Sequence, residues 1–281
     1  MIRRIPGREA AAKKGWLMAS RWLLLRRMSQ LGILGLFLLG PLTGIWLVKG
    51  TLSASMTLDI LPLTDPFVLA QSIFAFGQLP AMTASVGGLI VAVFYALIGG
   101  RVFCAWVCPV NILTDAAAWL NRRLELKRSL NLSRSTRYAL LVMILVLSVL
   151  TGSIIWEWVN PVTAVQRGLL FGLGLSWLAA AAIVVFDAFV LRHGWCGHLC
   201  PVGAAWSLLG FFALLRVKAA GRERCTDCMD CFAVCPEPQV IRPALEGAEG
   251  STAVIRSPNC LNCGRCIDVC PQNVFVFSKR A

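Results

Sequence analysis

The chain has 281 residues, of which 57% are hydrophobic and 15% charged, with a formal net charge of +13 and a mean hydropathy of +0.71. An ordinary soluble domain carries about 25% charge, so the composition argues against one and suits a membrane protein whose apolar residues fall in spanning runs. Nucleic-acid binding is the weaker reading of the positive excess, because most of it flanks apolar runs.

The first 27 residues form a basic leader with Arg3, Arg4, Arg8, Lys13, Lys14, Arg21, Arg26 and Arg27. The apolar run 28–48 follows. It outlasts the h-region of a signal peptide and its leader is too long for one, so it reads as an uncleaved anchor. Three more runs, 82–100, 138–156 and 168–191, approach the ~20 residues a spanning helix needs. Only Asp187 interrupts the last of them. The pieces 67–79 and 202–215 are too short to span and read as interfacial or re-entrant helices.

Charge sets the expected orientation. The loop 101–137 holds seven Lys and Arg, whereas 49–81 has only Lys49 and 157–167 only Arg167. The positive-inside rule places both termini and the middle loop in the cytoplasm. All twelve cysteines then face that reducing compartment, which favours metal ligation over disulfides.

The chain also repeats. Arg101-Val-Phe-Cys104-Ala-Trp-Val-Cys108-Pro109 follows the second run, and Arg192-His-Gly-Trp-Cys196-Gly-His-Leu-Cys200-Pro201 follows the fourth. In the outer loops, Asp65-Pro66 with Gln71 matches Asn160-Pro161 with Gln166. The expected unit is a helix pair ending in Cys-x₃-Cys-Pro, with both sulfurs on one face of a helix. Cys104, Cys108, Cys196 and Cys200 can form a third metal or redox site, remain redox-active thiols, or simply pack. Asp65, Gln71, Asn160 and Gln166 can line an outer-side quinol pocket. The stronger reading is that the Asx-Pro pairs initiate turns while the glutamines satisfy loop backbone. Asp187 is a functional candidate as the one charge inside a run, or is solvated near the inner end beside Arg192.

The strongest chemical signal lies last. Cys225-x₂-Cys228-x₂-Cys231-x₃-Cys235-Pro236 is followed by Cys260-x₂-Cys263-x₂-Cys266-x₃-Cys270-Pro271. This is the bacterial two-cluster ferredoxin spacing, in which the fourth cysteine of each run serves the other cluster. The expected ligand sets are Cys225, Cys228, Cys231 and Cys270 for one [4Fe–4S] cluster, and Cys260, Cys263, Cys266 and Cys235 for the other. Zinc ribbons do not need this eight-cysteine spacing with both prolines. The insert between the runs reads as a surface loop through Glu246-Gly-Ala-Glu-Gly250, with a short strand at 252–256. No haem-attachment or Gly-rich dinucleotide motif occurs, and His193 and His198 share one loop. By elimination, the electron source is membrane quinol.

The expected fold is an α-helical membrane protein with four transmembrane helices arranged as two repeated helix pairs, followed by a small α+β ferredoxin-like domain. Its expected parts are 1–27, 28–215 and 216–281. With its double ferredoxin run, its two Cys-x₃-Cys-Pro motifs, and the segments Gly40-Pro-Leu-Thr-Gly-Ile-Trp-Leu-Val-Lys-Gly50 and Leu61-Pro-Leu-Thr-Asp-Pro-Phe-Val68, the chain resembles the NapH-type ferredoxin proteins, relatives of MauN and the C-terminal half of NosR. The resemblance implies a quinol dehydrogenase subunit in a bacterial inner membrane. It would work with a periplasmic NapG-like ferredoxin and feed a periplasmic nitrate reductase. A feeder for another periplasmic enzyme, and a membrane protein of cofactor assembly or redox sensing, are the alternatives.

Overall fold

The computed structural model describes residues 5–124, 130, 132–172, 174, 176–247 and 252–280. Of the residues singled out above, Arg3, Arg4, Lys127, Arg128 and the loop residues 248–250 lie outside that set. The described chain is mostly helical and divides into two compact units.

One unit gathers residues 1–29, 95–106 and 207–281. Its antiparallel ribbon pairs Leu215–Lys218 with Val276–Lys279, Arg216 opposite Ser278 and Val217 opposite Phe277. A single bridge from Lys218 to Val254 represents the strand expected at 252–256. The core beneath packs Val217, Val240, Ile241, Ile255, Ile267, Val274 and Phe275 around cysteines of both ferredoxin runs. The basic leader belongs here. The Lys14 ammonium donates to the carbonyls of Ile267 (2.8 Å) and Cys270 (3.1 Å). Asp268 accepts the N–H groups of Trp22 (3.2 Å) and Leu23 (2.9 Å). The ring of Trp22 meets Phe277 edge-on at 4.7 Å between centroids.

The other unit holds 30–94 and 107–206. Among the described residues one helix, Trp16–Thr43, whose residues 16–29 are counted in the first unit, is long and apolar enough by length and composition to cross a membrane. It begins twelve residues before the expected start at residue 28 and stops before 48. Met82–Ile98 and Thr136–Thr151 are apolar helices of 17 and 16 residues. The apolar run 168–191 is not continuous. Its first residues end the Pro161–Phe171 helix, and a new helix, Ser176–Val185, passes into the π-helical turn Phe186–Val190. Gly172 at φ 92° ends the first helix, because that conformation cannot continue it. The segment after the first long helix also departs from the loop reading. Val48–Gly50, Ala54–Thr57 and Leu61–Thr64 form an antiparallel meander. At Gly50, φ is 103° and a Cβ would stand 2.4 Å from the Ala54 carbonyl oxygen, so only glycine makes this first turn. The short piece 67–79 is the helix Pro66–Phe76, and 202–215 is the helix Pro201–Leu209 running into a 3₁₀ turn.

Candidate iron–sulfur sites

Both ferredoxin runs fold the same way. Asp227 and Met229 in the first, and Asn262 and Gly264 in the second, take φ between 45° and 71°. Two left-handed residues in such a short span curl the backbone around a point, so the first three cysteines of each run face one recess. Asp and Asn tolerate this conformation better than most residues. Gly264 has a second reason: a Cβ there would lie 2.5 Å from the Trp22 ring. Short helices, Asp230–Val234 and Arg265–Val269, follow. Cys235 and Cys270 end them in extended conformation, which the following Pro236 and Pro271 impose, and so turn away from their own runs.

Two recesses result. Cys225, Cys228, Cys231 and Cys270 line one, walled by Phe232, Leu245 and Phe275. Cys235, Cys260, Cys263 and Cys266 line the other, with Val240, Ile241 and Ile255. Burial pushes the Cys231 thiol up to about 12 and the Cys260 thiol to about 11, and raises Cys235 and Cys266 as well. Such thiols ionise readily only when a metal centre offsets the lost hydration. Among the described residues, no three His, Cys, Asp or Glu side chains close around a single ion. Four thiols spaced around an apolar hollow fit a polynuclear iron–sulfur cluster, whose iron atoms carry separate thiolates.

The first Cys-x₃-Cys-Pro segment is bound to the second recess. Arg101 is fully buried and ion-paired with Glu237, equally buried, and also donates to the Asn259 carbonyl at 3.2 Å. Glu237 lies two residues past Cys235, and Asn259 immediately precedes Cys260. The Trp106 indole N–H reaches the Asn262 carbonyl at 3.2 Å. Buried Cys104 sits between these anchors on the helix Val102–Trp106.

Neither cysteine pair lies on one continuous helix, contrary to the expectation from spacing. Cys108 follows the end of Val102–Trp106, and Cys200 ends the π-helical turn Trp195–Leu199 with ψ 111°. Pro109 and Pro201 are the cause, since the residue before proline is driven out of helical conformation. Cys104 belongs to the ferredoxin-bearing unit, whereas Cys108, Cys196 and Cys200 belong to the other. In that unit, Cys196 Sγ stands 3.8 Å from Thr114 Oγ1, and Cys200 Sγ accepts the Gly203 N–H at 3.4 Å. Arg137, fully buried, donates to the carbonyl of Gly197 between them at 3.2 Å. Asp187, also buried, accepts the Trp195 N–H at 2.8 Å and thereby ties the π-helical end of the preceding helix to the cysteine segment.

The four outer-loop candidates are all buried. Asp65 accepts the Phe67 N–H at 2.8 Å and Asn160 the Val162 N–H at 3.0 Å, each capping a helix that opens with proline. The glutamines cross between repeats. Gln71 Oε1 accepts the Trp156 N–H of the second repeat at 3.1 Å, and Gln166 Oε1 accepts the Leu52 N–H of the first at 2.8 Å. Ser53 and Glu157 complete this layer. Glu157 Oε1 accepts from the Ser53 hydroxyl and the Asn160 amide, both at 2.8 Å. Neither is a candidate site residue from sequence, where Ser53 stands out only in the small-residue segment Ser53-Ala54-Ser55 and Glu157 only by lying three residues before Asn160. Burial pushes the Asp65 carboxyl up to about 7, with the nearby Glu157 charge adding to the rise.

A family model described as a 4Fe-4S binding domain matches twice, at residues 81–127 and 173–218, each match enclosing one Cys-x₃-Cys-Pro motif. A 4Fe-4S dicluster domain model matches 224–274, which spans both recesses. The ferredoxin-type protein NapH of Escherichia coli is 50% identical over 99% of this chain and 96% of its own length. NapH of Haemophilus influenzae is 47% identical over 98% of this chain and 95% of its own. The methylamine utilization ferredoxin-type protein MauN of Methylorubrum extorquens is 50% identical over 97% and 94%. No solved structure matches the chain. With relatives this similar over nearly its whole length, the chain belongs to the NapH and MauN family of ferredoxin-type, iron–sulfur electron-transfer proteins.

Proposed function

We propose that this protein is the membrane-embedded electron-transfer subunit of a quinol dehydrogenase. It takes electrons from membrane quinol and passes them toward a periplasmic reductase. The observation that carries the reading is the pairing of two four-cysteine recesses with apolar helices in one chain, in a family whose members share the full length. In this reading residues 28–215 hold four transmembrane helices in two pairs, and 216–281 carry two [4Fe–4S] clusters on the cytoplasmic side of a bacterial inner membrane. Cys225, Cys228, Cys231 and Cys270 hold one cluster; Cys235, Cys260, Cys263 and Cys266 hold the other. Bound there, such a cluster supplies one-electron transfer. The protein's own part is to present the thiolates, wall off water with Phe232, Phe275, Val240 and Ile255, and anchor the first Cys-x₃-Cys segment through Arg101 and Trp106.

Likeness to NapH suggests a NapG-like ferredoxin and nitrate reductase as the recipients. Identity to MauN is equally high at 50%, which favours as a second reading a feeder for a methylamine-linked periplasmic enzyme. Purified anaerobically, the protein is expected to contain about eight iron per chain, or about twelve if Cys104, Cys108, Cys196 and Cys200 hold a third centre. It should also oxidise a quinol analogue when given an acceptor. Reporter fusions after Gly50 or Val162 should read as periplasmic, and after Leu130 or Ala281 as cytoplasmic. Full iron without quinol turnover, or a periplasmic C-terminus, would overturn the proposal.

A further inference from the structure

Arg216 lies in the strand Leu215–Lys218 and is only 2% exposed. Its guanidinium donates to two neutral carbonyls, those of Ser257 (3.0 Å) and Gly210. No carboxylate pairs with it among the described residues, whereas the neighbouring buried arginine, Arg101, has Glu237. The charges it feels are the Cys260 sulfur, which attracts it, and Arg280, which repels it. Ser257 stands three residues before Cys260, so the Arg216 guanidinium is held behind the segment that carries this ligand, while Val217 and the buried Arg265 line the recess itself. A buried guanidinium with no anion is expensive, and arginine cannot escape the cost by losing its proton. A thiolate-bound iron–sulfur cluster provides the missing negative charge. The other recess has a weaker arrangement: its nearby cation is the partly exposed Lys14, bound to the Cys270 carbonyl, and its rim carries the exposed Asp227.

We propose that Arg216, beside the recess-lining Arg265, is an internal counter-charge of the iron–sulfur cluster held by Cys235, Cys260, Cys263 and Cys266, and that it keeps that cluster's reduction potential above the value it would have without this cation. Reduction adds one negative charge to an already negative centre, so a fixed cation beside it stabilises the reduced form more than the oxidised one. The inference rests on the reading that this recess holds a cluster. The test uses full-length protein purified anaerobically in detergent, with Arg216→Met and Arg216→Lys variants, iron analysis, and redox titration followed by electron paramagnetic resonance. Cys260→Ser identifies the signal of the second centre. Arg216→Met should shift that one midpoint to lower potential and leave the other unmoved, while Arg216→Lys restores most of the shift. The metal-free Met variant should melt no lower than metal-free wild type, because an unpaired buried charge has gone. An unmoved midpoint at full iron, an equal shift in both centres, or loss of the second centre in both variants would overturn the proposal. If Met alone loses that centre while Lys keeps it near the wild-type potential, the counter-charge role stands. Wild-type protein with only one cluster's iron would instead overturn the functional reading on which the inference rests.

Discussion

Asp65-Pro66 in the first repeat and Asn160-Pro161 in the second do the same backbone work, each side chain accepting the N–H two residues on at 2.8 and 3.0 Å. A carboxylate is therefore not needed for the cap. The two copies differ in what surrounds it. Asn160 turns its amide N–H toward Glu157 at 2.8 Å, whereas Asp65 faces the same acidic neighbour with a buried carboxyl. The cysteine ends differ likewise. Arg101 is fully buried against Glu237, but Arg192 is only half-buried. The repeats share their backbone punctuation and have diverged in charge, so equivalent positions should respond unequally to substitution.

The largest inequality is expected at the cysteine ends. Glu237→Ala leaves Arg101 buried without its carboxylate and should cost about 3–5 kcal/mol. Arg192→Ala in the second repeat should cost about 1 kcal/mol or less. Thermal unfolding in detergent of both variants measures the gap, and equal losses would show that the buried ion pair is not special to the first repeat.

Next comes an exchange of caps. Asn160→Asp sets a carboxylate against Glu157 and should destabilise by about 2–4 kcal/mol at pH 8, less as the pH falls. Asp65→Asn keeps the cap and should do the reverse. Because the folded-state value of Asp65, about 7, lies above its ordinary 3.8, its contribution is fully present below about pH 4 and is lost as pH rises through 7. The Asn variant should therefore match wild type near pH 4 and exceed it by up to ~4 kcal/mol above pH 7. Stability measured across that range decides it; a pH-independent difference would place Asp65 in solvent contact.

The smallest effect concerns the crossed glutamines. Gln71→Leu leaves the buried Trp156 N–H and the Ser148 hydroxyl without their acceptor, and Gln166→Leu leaves the part-buried Leu52 N–H without its own, at about 1–3 kcal/mol apiece. Here the two repeats should behave alike, since each glutamine latches onto the other repeat. A loss in only one variant would break the symmetry.

Much of this was legible in residue spacing. The left-handed residues Asp227, Met229, Asn262 and Gly264 occupy matching places in two runs whose cysteine spacing already implied a curled backbone. The Pro-x₄-Gln match in the outer loops marked residues that prove to be buried and reciprocal. The one-face geometry of Cys-x₃-Cys failed because the proline after each second cysteine outweighed the helical period. The meander at residues 48–64 is not legible in the sequence because its short strands alternate only weakly between buried and exposed positions.

Sequence alone determined the chemistry of this protein: two cysteine runs spaced for iron–sulfur clusters, a duplicated Cys-x₃-Cys-Pro, and apolar runs with cationic flanks. These depend on ligand spacing and local backbone preference, which neighbouring residues encode. Only the tertiary structure decided that the basic leader packs on the ferredoxin runs through Lys14 and Trp22, that Arg101 is buried against Glu237 while Arg216 has no carboxylate partner among the described residues, and that each glutamine serves the opposite repeat. Those pairings join residues up to 256 positions apart. The stability of a buried charge is set by whichever distant groups pack around it, and no local pattern records them.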